Sequence, residues 1–255
     1  MKIDFLIPHH NDERIIRAIY SIHNNPYSNN FRIIVLDTGF NKSLSNLISN
    51  TIRQDDIHII ERDNGIFDAL NKGLDISNSE WVGWIGADDL IAKEFNPKEI
   101  FSLSIKYAAI SYTTVFFSEN RRSITRIYKP INNKFLRMNG AHVPHFSTYV
   151  RTNIAKKIKF DLAWGNFADQ KFFYLIEKYY HIKPLACVST LMSSGGTSNY
   201  SFISIIKMNL NVFLNYSRFT NFLHAFIYIK IKLLYKLTQK INLKSRYYLI
   251  KEIIE

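Results

Sequence analysis

Apolar residues in the first third of this chain switch repeatedly between short continuous runs and helical spacing. Residues 2–8, KIDFLIP, are a compact apolar run, which predicts a buried strand. After the turn PHHND, Ile15, Ile16, Ile19 and Ile22 share one helical face, with Asn11 or Asp12 placed to cap the helix. FRIIVLD (31–37) predicts a second strand. From Lys42 to Ile52, Leu44, Leu47, Ile48 and Ile52 form one helical face, and IHII (57–60) is a third strand. Phe67, Leu70 and Leu74 mark another helix. The polar turn Asn78-Ser79 leads into WVGWIG (81–86), a further buried strand. Strands joined by helical crossovers of this length pair in parallel. Residues 1–95 therefore predict an α/β, Rossmann-like, mostly parallel sheet flanked by helices.

The pattern then changes. Asn96-Pro97-Lys98-Glu99 has the cap, first-turn proline and acidic third position of a helix start, and that helix covers Ile100 and Leu103. YAAISYTTVFF (107–117) is rich in β-branched and aromatic residues. SENRR turns it back into SITRIYKP, a return strand. Phe172, Phe173, Leu175 and Ile176 give an amphipathic helix, HIKPLACVST (181–190) is the last sheet strand, and SSGGTS ends it with the pair Gly195-Gly196. From Phe202 onward the chain is apolar, aromatic and basic, and predicts two or three helices. The expected organisation is one domain over 1–200, with halves 1–95 and 96–200, and a basic helical extension over 201–255.

Charge sharpens that division. The formal net charge is +12 over 255 residues and the isoelectric point is near 9.6, which calls for an anionic partner. No Asp or Glu occurs between Glu177 and Glu252, while Lys and Arg recur throughout. Lysines interleaved with Ile, Leu, Phe and Tyr suit an anionic membrane interface. The alternative is packing on the domain or on a second copy in a homodimer. Nucleic acid could use the same residues, but no nucleic-acid motif accompanies them. The single cysteine, Cys187, excludes a disulfide framework and is expected in the core. MKIDFLIPHH begins a strand at once and is not a signal peptide. No apolar run reaches the roughly 18 residues of a membrane span. The expected location is the cytoplasm, peripheral on the inner face of the membrane.

Candidate chemistry gathers where strands end. Acidic residues just past the carboxyl end of a parallel strand lie where such sheets bind ligands. Asp88 and Asp89 stand there side by side. Adjacent carboxylates repel unless a cation relieves them, and a divalent metal carrying a diphosphate is a natural candidate. Asp37 ends the second strand and reads either as a capping residue or as a ligand acceptor. Gly65, after Asp63, permits a positive φ and close backbone approach to a ligand. Asp68 shares a helical face with Asn71 and Lys72, as in a solvated ion pair. His9 and His10 are expected as solvated loop residues without a catalytic role. Asp169 opens its helix, where the helix dipole stabilises a carboxylate. His145 and Arg151 are weaker candidates.

The block ERDNGIFDALNKGLDISNSEWVGWIGADD, Glu61 to Asp89, resembles family 2 glycosyltransferases of the GT-A fold, of the bacterial surface-polysaccharide type. The resemblance extends over about residues 2–200. It implies an inverting transfer of a sugar from a nucleotide diphosphate sugar, a UDP-sugar in the first instance, to a hydroxyl of a saccharide or lipid-linked acceptor. It implies Mn²⁺ or Mg²⁺ on Asp89, with Asp88 at the ribose or donor sugar. Pro8 and Asp37 are implied at the nucleoside, Asp63 and Gly65 in the loop beside it, and Asn71 and Lys72 beneath it, Lys72 toward the diphosphate. Asp169 is implied as general base. His145 and Arg151 are implied on the acceptor or diphosphate side, and Gly195-Gly196 in a mobile loop near the donor. Two readings of other classes stand beside it: a non-catalytic nucleotide-sugar-binding scaffold, and a basic nucleic-acid-binding protein, which gives no reason for Asp88-Asp89.

Overall fold

A computed structural model describes residues 1–104, 106–118, 123–139, 142–193, 210, 213–217 and 220–241. The first half is built as the spacing predicts. Strands β1 (Ile3–His9), β2 (Phe31–Asp37), β3 (Ile57–Ile60) and β4 (Trp81–Trp84) alternate with helices α1 (Ile15–His23), α2 (Lys42–Thr51) and α3 (Ile66–Ile76). They lie in the order β3-β2-β1-β4, all parallel. β1 is central and pairs along its whole length with β2, from Ile3 opposite Phe31 to His9 opposite Asp37. α1 packs Ile15, Ile19 and Ile22, and α2 packs Leu44 and Ile48, on one sheet face, while Leu47, expected with them, is exposed at the edge of that face; α3 packs Leu70 and Leu74 on the other. A Cβ on Gly73 would stand 2.8 Å from a Leu36 methyl, so α3 sits as near the strands as a glycine permits.

The amino edge of this half is tied by charge. The buried Asp4 carboxylate accepts from the Arg32 guanidinium at 2.9 and 2.7 Å, and from the Asn78 and Ser79 amides at 3.0 and 3.1 Å. The polar turn before β4 is thereby fixed to β1, at the edge opposite the two adjacent aspartates.

The second half is mixed. β8 (Thr148–Arg151) runs antiparallel to both β4 and β6 (Ala109–Ser118), and so joins the halves. β9 (Ile182–Ser193) is parallel to β6. β5 (Leu90–Ile91) pairs antiparallel with β9, and β7 (Ser123–Tyr128) antiparallel with β6. Helices α4 (Lys98–Ser102), α5 (Lys134–Met138), α6 (Thr152–Ile158) and α7 (Ala168–Tyr179) pack around it. α5 is joined to α7 by a buried bidentate pair, Arg137 Nε and Nη2 to Glu177 at 3.0 and 2.8 Å.

Two expectations are corrected here. Cys187 is exposed rather than in the core. Between Pro184, opposite Ser111, and Val188, opposite Thr113, β9 holds more residues than β6, and the surplus bulges outward with Cys187 in it. His9 is buried, not solvated, because β1 runs one residue past Pro8 and sets it beside Asp37.

The tail helix α8 (Phe222–Ile241) does not stand apart from the domain. Ala225, Tyr228 and Lys232 recur on one face and are buried. Tyr216 and Tyr228 pack with Tyr174 of α7, and the Tyr216 hydroxyl donates to the Met138 carbonyl at 3.0 Å. The opposite face is exposed, with Phe222 at 70% and Leu223 at 68%. Gly195-Gly196, within 194–209, and residues 211–212, 218–219 and 242–255 lie outside the described residues.

Candidate active site

The carboxyl ends of β1, β2 and β3 open into a cleft of about 690 Å³ lined by Pro8, His9, His10, Thr38, Gly39, Phe40, Arg62, Asp63, Gly65 and Ile66. His10 lies against Phe40 with ring centroids 5.0 Å apart, and its Nδ1 is 3.0 Å from the Thr38 hydroxyl. Gly65 precedes α3 at φ 108°, a conformation that disfavours any side chain. Asp63 Oδ1 accepts from the Gly65 amide at 2.8 Å and so holds that turn. Asp37 is turned inward beneath the cleft. Its carboxylate accepts from the Gly39 amide at 2.8 Å and the Ser45 hydroxyl at 2.6 Å, and lies 3.1 Å from His58 Nε2. Burial opposes its charge, but these partners outweigh burial and hold its carboxyl below the usual carboxylate range.

Asp88 and Asp89 sit on the turn just past β4. Asp89 is 2% exposed, and its Oδ1 accepts from the Ser193 amide at the end of β9, 2.9 Å away. Burial, then the neighbouring Asp88, pushes its carboxyl up to about 7. Asp88 is the more open of the two, and its Oδ2 stands 3.6 Å from the Arg14 guanidinium. Arg14 also bonds the Asp12 carboxylate, at 2.9 Å through Nε, and reaches the Ser193 hydroxyl at 3.5 Å. Gly86 makes room for the pair: a Cβ there would lie 2.7 Å from Asp89 Oδ2 and 3.0 Å from Asp88 Oδ1. A buried carboxylate whose charge is raised in energy, with a second carboxylate beside it, fits a hard divalent cation. No group of three or more His, Cys, Asp or Glu ligands forms among the described residues, so substrate oxygens and water would complete its shell.

Asp169 begins α7 and meets His145, which follows Pro144 on the short turn before β8. His145 Nδ1 is 3.7 Å from Asp169 Oδ2. Burial pushes the Asp169 carboxyl up to about 6 and the imidazole down to about 3. The imidazole stacks on Phe146 and Phe67, at 4.7 and 5.9 Å between centroids, and meets the edge of Trp84 at 5.3 Å. Phe67 is one residue past the cleft-lining Ile66. The His145–Asp169 pair thus adjoins the cleft through α3, at the end of β4 that leads to Asp88.

Three further candidates are engaged elsewhere. Asn71 bridges both backbone groups of Phe160, each at 2.8 Å, and clamps α3 to the chain after α6. Lys72 bonds Glu61 and the Arg62 carbonyl, each at 2.6 Å, behind the cleft loop. Arg151 pairs in register with Trp81 at the start of β4, and its guanidinium lies over the Trp81 ring, away from the carboxyl end. Sequence reasoning passed over Arg14, Phe40, Arg62 and Ser193. Arg14 had a signal, a basic residue one turn from the predicted ligand edge. Ser193 had none, because only the antiparallel pairing of β5 with β9, beginning one residue past Asp89, brings it there.

The glycosyl transferase family 2 model matches residues 4–167. The chain belongs to glycosyl transferase family 2. That span holds the cleft, the two aspartates and His145, and stops two residues short of Asp169. Solved structures show the same fold, GT-A. Residues 1–349 of TarS from S. aureus, in complex with UDP-GlcNAc, are 16% identical with a TM-score of 0.65, over 96% of this chain and 76% of that one. Mannosyltransferase PcManGT from Pyrobaculum calidifontis, in complex with GDP-Man and Mn²⁺, is 14% identical with a TM-score of 0.59, over 98% and 77%. No curated protein sequence matches the chain.

Proposed function

We propose that this glycosyltransferase moves a sugar from a nucleoside diphosphate sugar, a UDP-sugar first among the candidates, to a hydroxyl of a saccharide acceptor carried on a lipid, with inversion. The observation that carries this reading is the position of Asp169. A carboxyl raised to about 6 lies beside His145, whose ring stacks on Phe67 next to the cleft-lining Ile66 and meets Trp84 at the end of β4, and this arrangement supports the reading.

Pro8, Asp63 and Gly65 hold the nucleoside in the cleft, with Asp37 setting the Thr38-Gly39 backbone beneath it. His10 and Phe40 offer a flat platform for the base. Asp169 takes the proton from the acceptor hydroxyl as that oxygen forms its bond to the anomeric carbon. The bond from that carbon to the diphosphate oxygen breaks, and the nucleoside diphosphate departs with the electron pair. A general base so placed contributes about 10²–10⁴-fold. His145, neutral at working pH, packs on Phe67, Trp84 and Phe146 beside the base and holds an apolar wall on that side of it. Asp89 and Asp88 would hold Mn²⁺ or Mg²⁺, which supplies Lewis-acid neutralisation of the leaving diphosphate. Arg14 adds fixed positive charge beside Asp88.

The lipid-linked acceptor, and a peripheral place on the inner face of a bacterial membrane where surface polysaccharide is assembled, are supported by the exposed apolar face of α8 and the basic tail. The test is transfer and hydrolysis from a panel of nucleotide sugars with Mn²⁺, Mg²⁺ or EDTA, for wild type and Asp89→Ala. Turnover of one donor, lost with EDTA and with the substitution, is expected. Donor binding without turnover, with lipid-linked acceptors supplied, would favour a scaffold.

A further inference from the structure

α8 packs a buried charge against the turn that carries Asp169. Ala225, Tyr228 and Lys232 form its inward stripe, and Lys232 is only 7% exposed. The Tyr228 hydroxyl donates to Gln170 Oε1 at 2.8 Å, one residue past Asp169, and also meets His142 Nε2. One turn further along, Lys232 Nζ lies 5.8 Å from the Phe167 ring centroid, two residues before Asp169. The tyrosine and the lysine therefore bracket the first turn of α7. An ammonium is expensive to bury, and an apolar side chain of that size would hold the helix at less cost.

We infer that Lys232 is a positioning residue for the Asp169 base: its buried ammonium is set against Phe167 at the start of the α7 turn that carries Asp169, while Tyr228 ties α8 to the same turn through Gln170. This rests on Asp169 being the base of the proposed transfer. The groups facing Asp169 leave Lys232 as its cationic neighbour among the described residues. His145, from the turn before β8, is pushed by burial to about 3 and is neutral. His142, nearby, is also pushed to about 3 by burial and then by Lys232. Tyr228 is driven upward by burial and carries no charge. On α7 itself, the Gln170 amide donates to Asp169 Oδ1 at 2.8 Å. Burial raises the Asp169 carboxyl, and the Lys232 charge pulls it back down. A helix beyond the residues that match the family model thus places a positive charge that opposes the effect of burial on the base.

The test is a direct titration of Asp169 in the full chain labelled with ¹³C at aspartate Cγ, its signal assigned by Asp169→Asn. Lys232→Met is expected to move the midpoint upward by about one pH unit, with Lys232→Arg close to wild type. Lys232→Gln is a second neutral variant should the methionine variant fold poorly. In turnover of the donor that the panel identifies, the acidic limb of the pH–rate profile follows the same order. An unmoved Asp169 midpoint in the neutral variants would overturn the inference. Equal turnover by wild type and Asp169→Asn would instead overturn the base reading, while the titration still decides the Lys232–Asp169 pairing.

Discussion

His145 Nδ1 lies 3.7 Å from the Asp169 carboxylate, yet the two form no ion pair at working pH, because burial keeps the imidazole neutral down to about pH 3. Asp169 therefore titrates alone, near 6. On the proposed mechanism Asp169 acts as carboxylate, so kcat/KM at saturating metal should rise with pH through about 6 and then level off, without a second step from His145. Asp169→Asn should lower kcat by about 10²–10⁴-fold with donor affinity kept. Steady-state kinetics across pH 5–8 measures both. Stability carries the same signature with the opposite slope. The folded chain holds the Asp169 proton over a window where the unfolded chain, near 3.8, has released it. The contribution of this group to stability falls as pH rises from about 4 to about 6, and Asp169→Asn should remove that fall in urea midpoints.

Gly86 has no side chain where the two aspartates need space. In Gly86→Ala the new methyl would press on both carboxylates, and Asp89 cannot swing away without losing the Ser193 amide. We expect a folded protein whose kcat/KM for the donor drops by up to about 100-fold, as small displacements of reacting groups cost. A drop of less than twofold would mean that the pair does not need its present geometry.

Arg137 and Glu177 are both buried and joined by two hydrogen bonds across α5 and α7. Removing one partner strands the other charge. Glu177→Ala should cost about 3–5 kcal/mol, and the double variant Arg137→Met with Glu177→Leu much less. Urea unfolding of the wild type and the two variants separates a buried pair from simple loss of packing.

The outer face of α8 exposes Phe222, Leu223, Phe226 and Leu234. Replacing Phe222, Leu223 and Leu234 by Ser should weaken flotation with vesicles of anionic phospholipid by about tenfold and leave the thermal midpoint unchanged. Equal flotation would remove α8 from the membrane contact.

The first half was legible because its strands and helices carry clean periodicities and pair with near neighbours in sequence. Ile15, Ile19 and Ile22, and Leu70 and Leu74, fell on the predicted faces. The second half was less so. β8 is four residues long and inserts antiparallel between β4 and β6, a pairing no local spacing encodes. Cys187 was misplaced because a bulge is set by the partner strand, not by the residue that fills it. His9 reads as loop beside His10, and only its register with Asp37 buries it. In α8, lysines among apolar residues fit a membrane surface and a docked helix equally, and which face turns inward is fixed by Tyr174 and Gln170, far away in sequence.

The pairing of β6 with β9 joins Ala109 to Ile182 and Phe117 to Ser193. Closing so long a loop is slow compared with pairing strands separated by one helix. A chain leaving the ribosome would thus form its nucleotide cleft early and wait for β9 before Asp89 gains the Ser193 amide. Pulse-labelled hydrogen exchange should find β1–β4 protected ahead of β9. On that schedule an unfinished chain has the cleft but lacks the Asp89–Ser193 contact, and the proposed transfer waits until the last strand is in place.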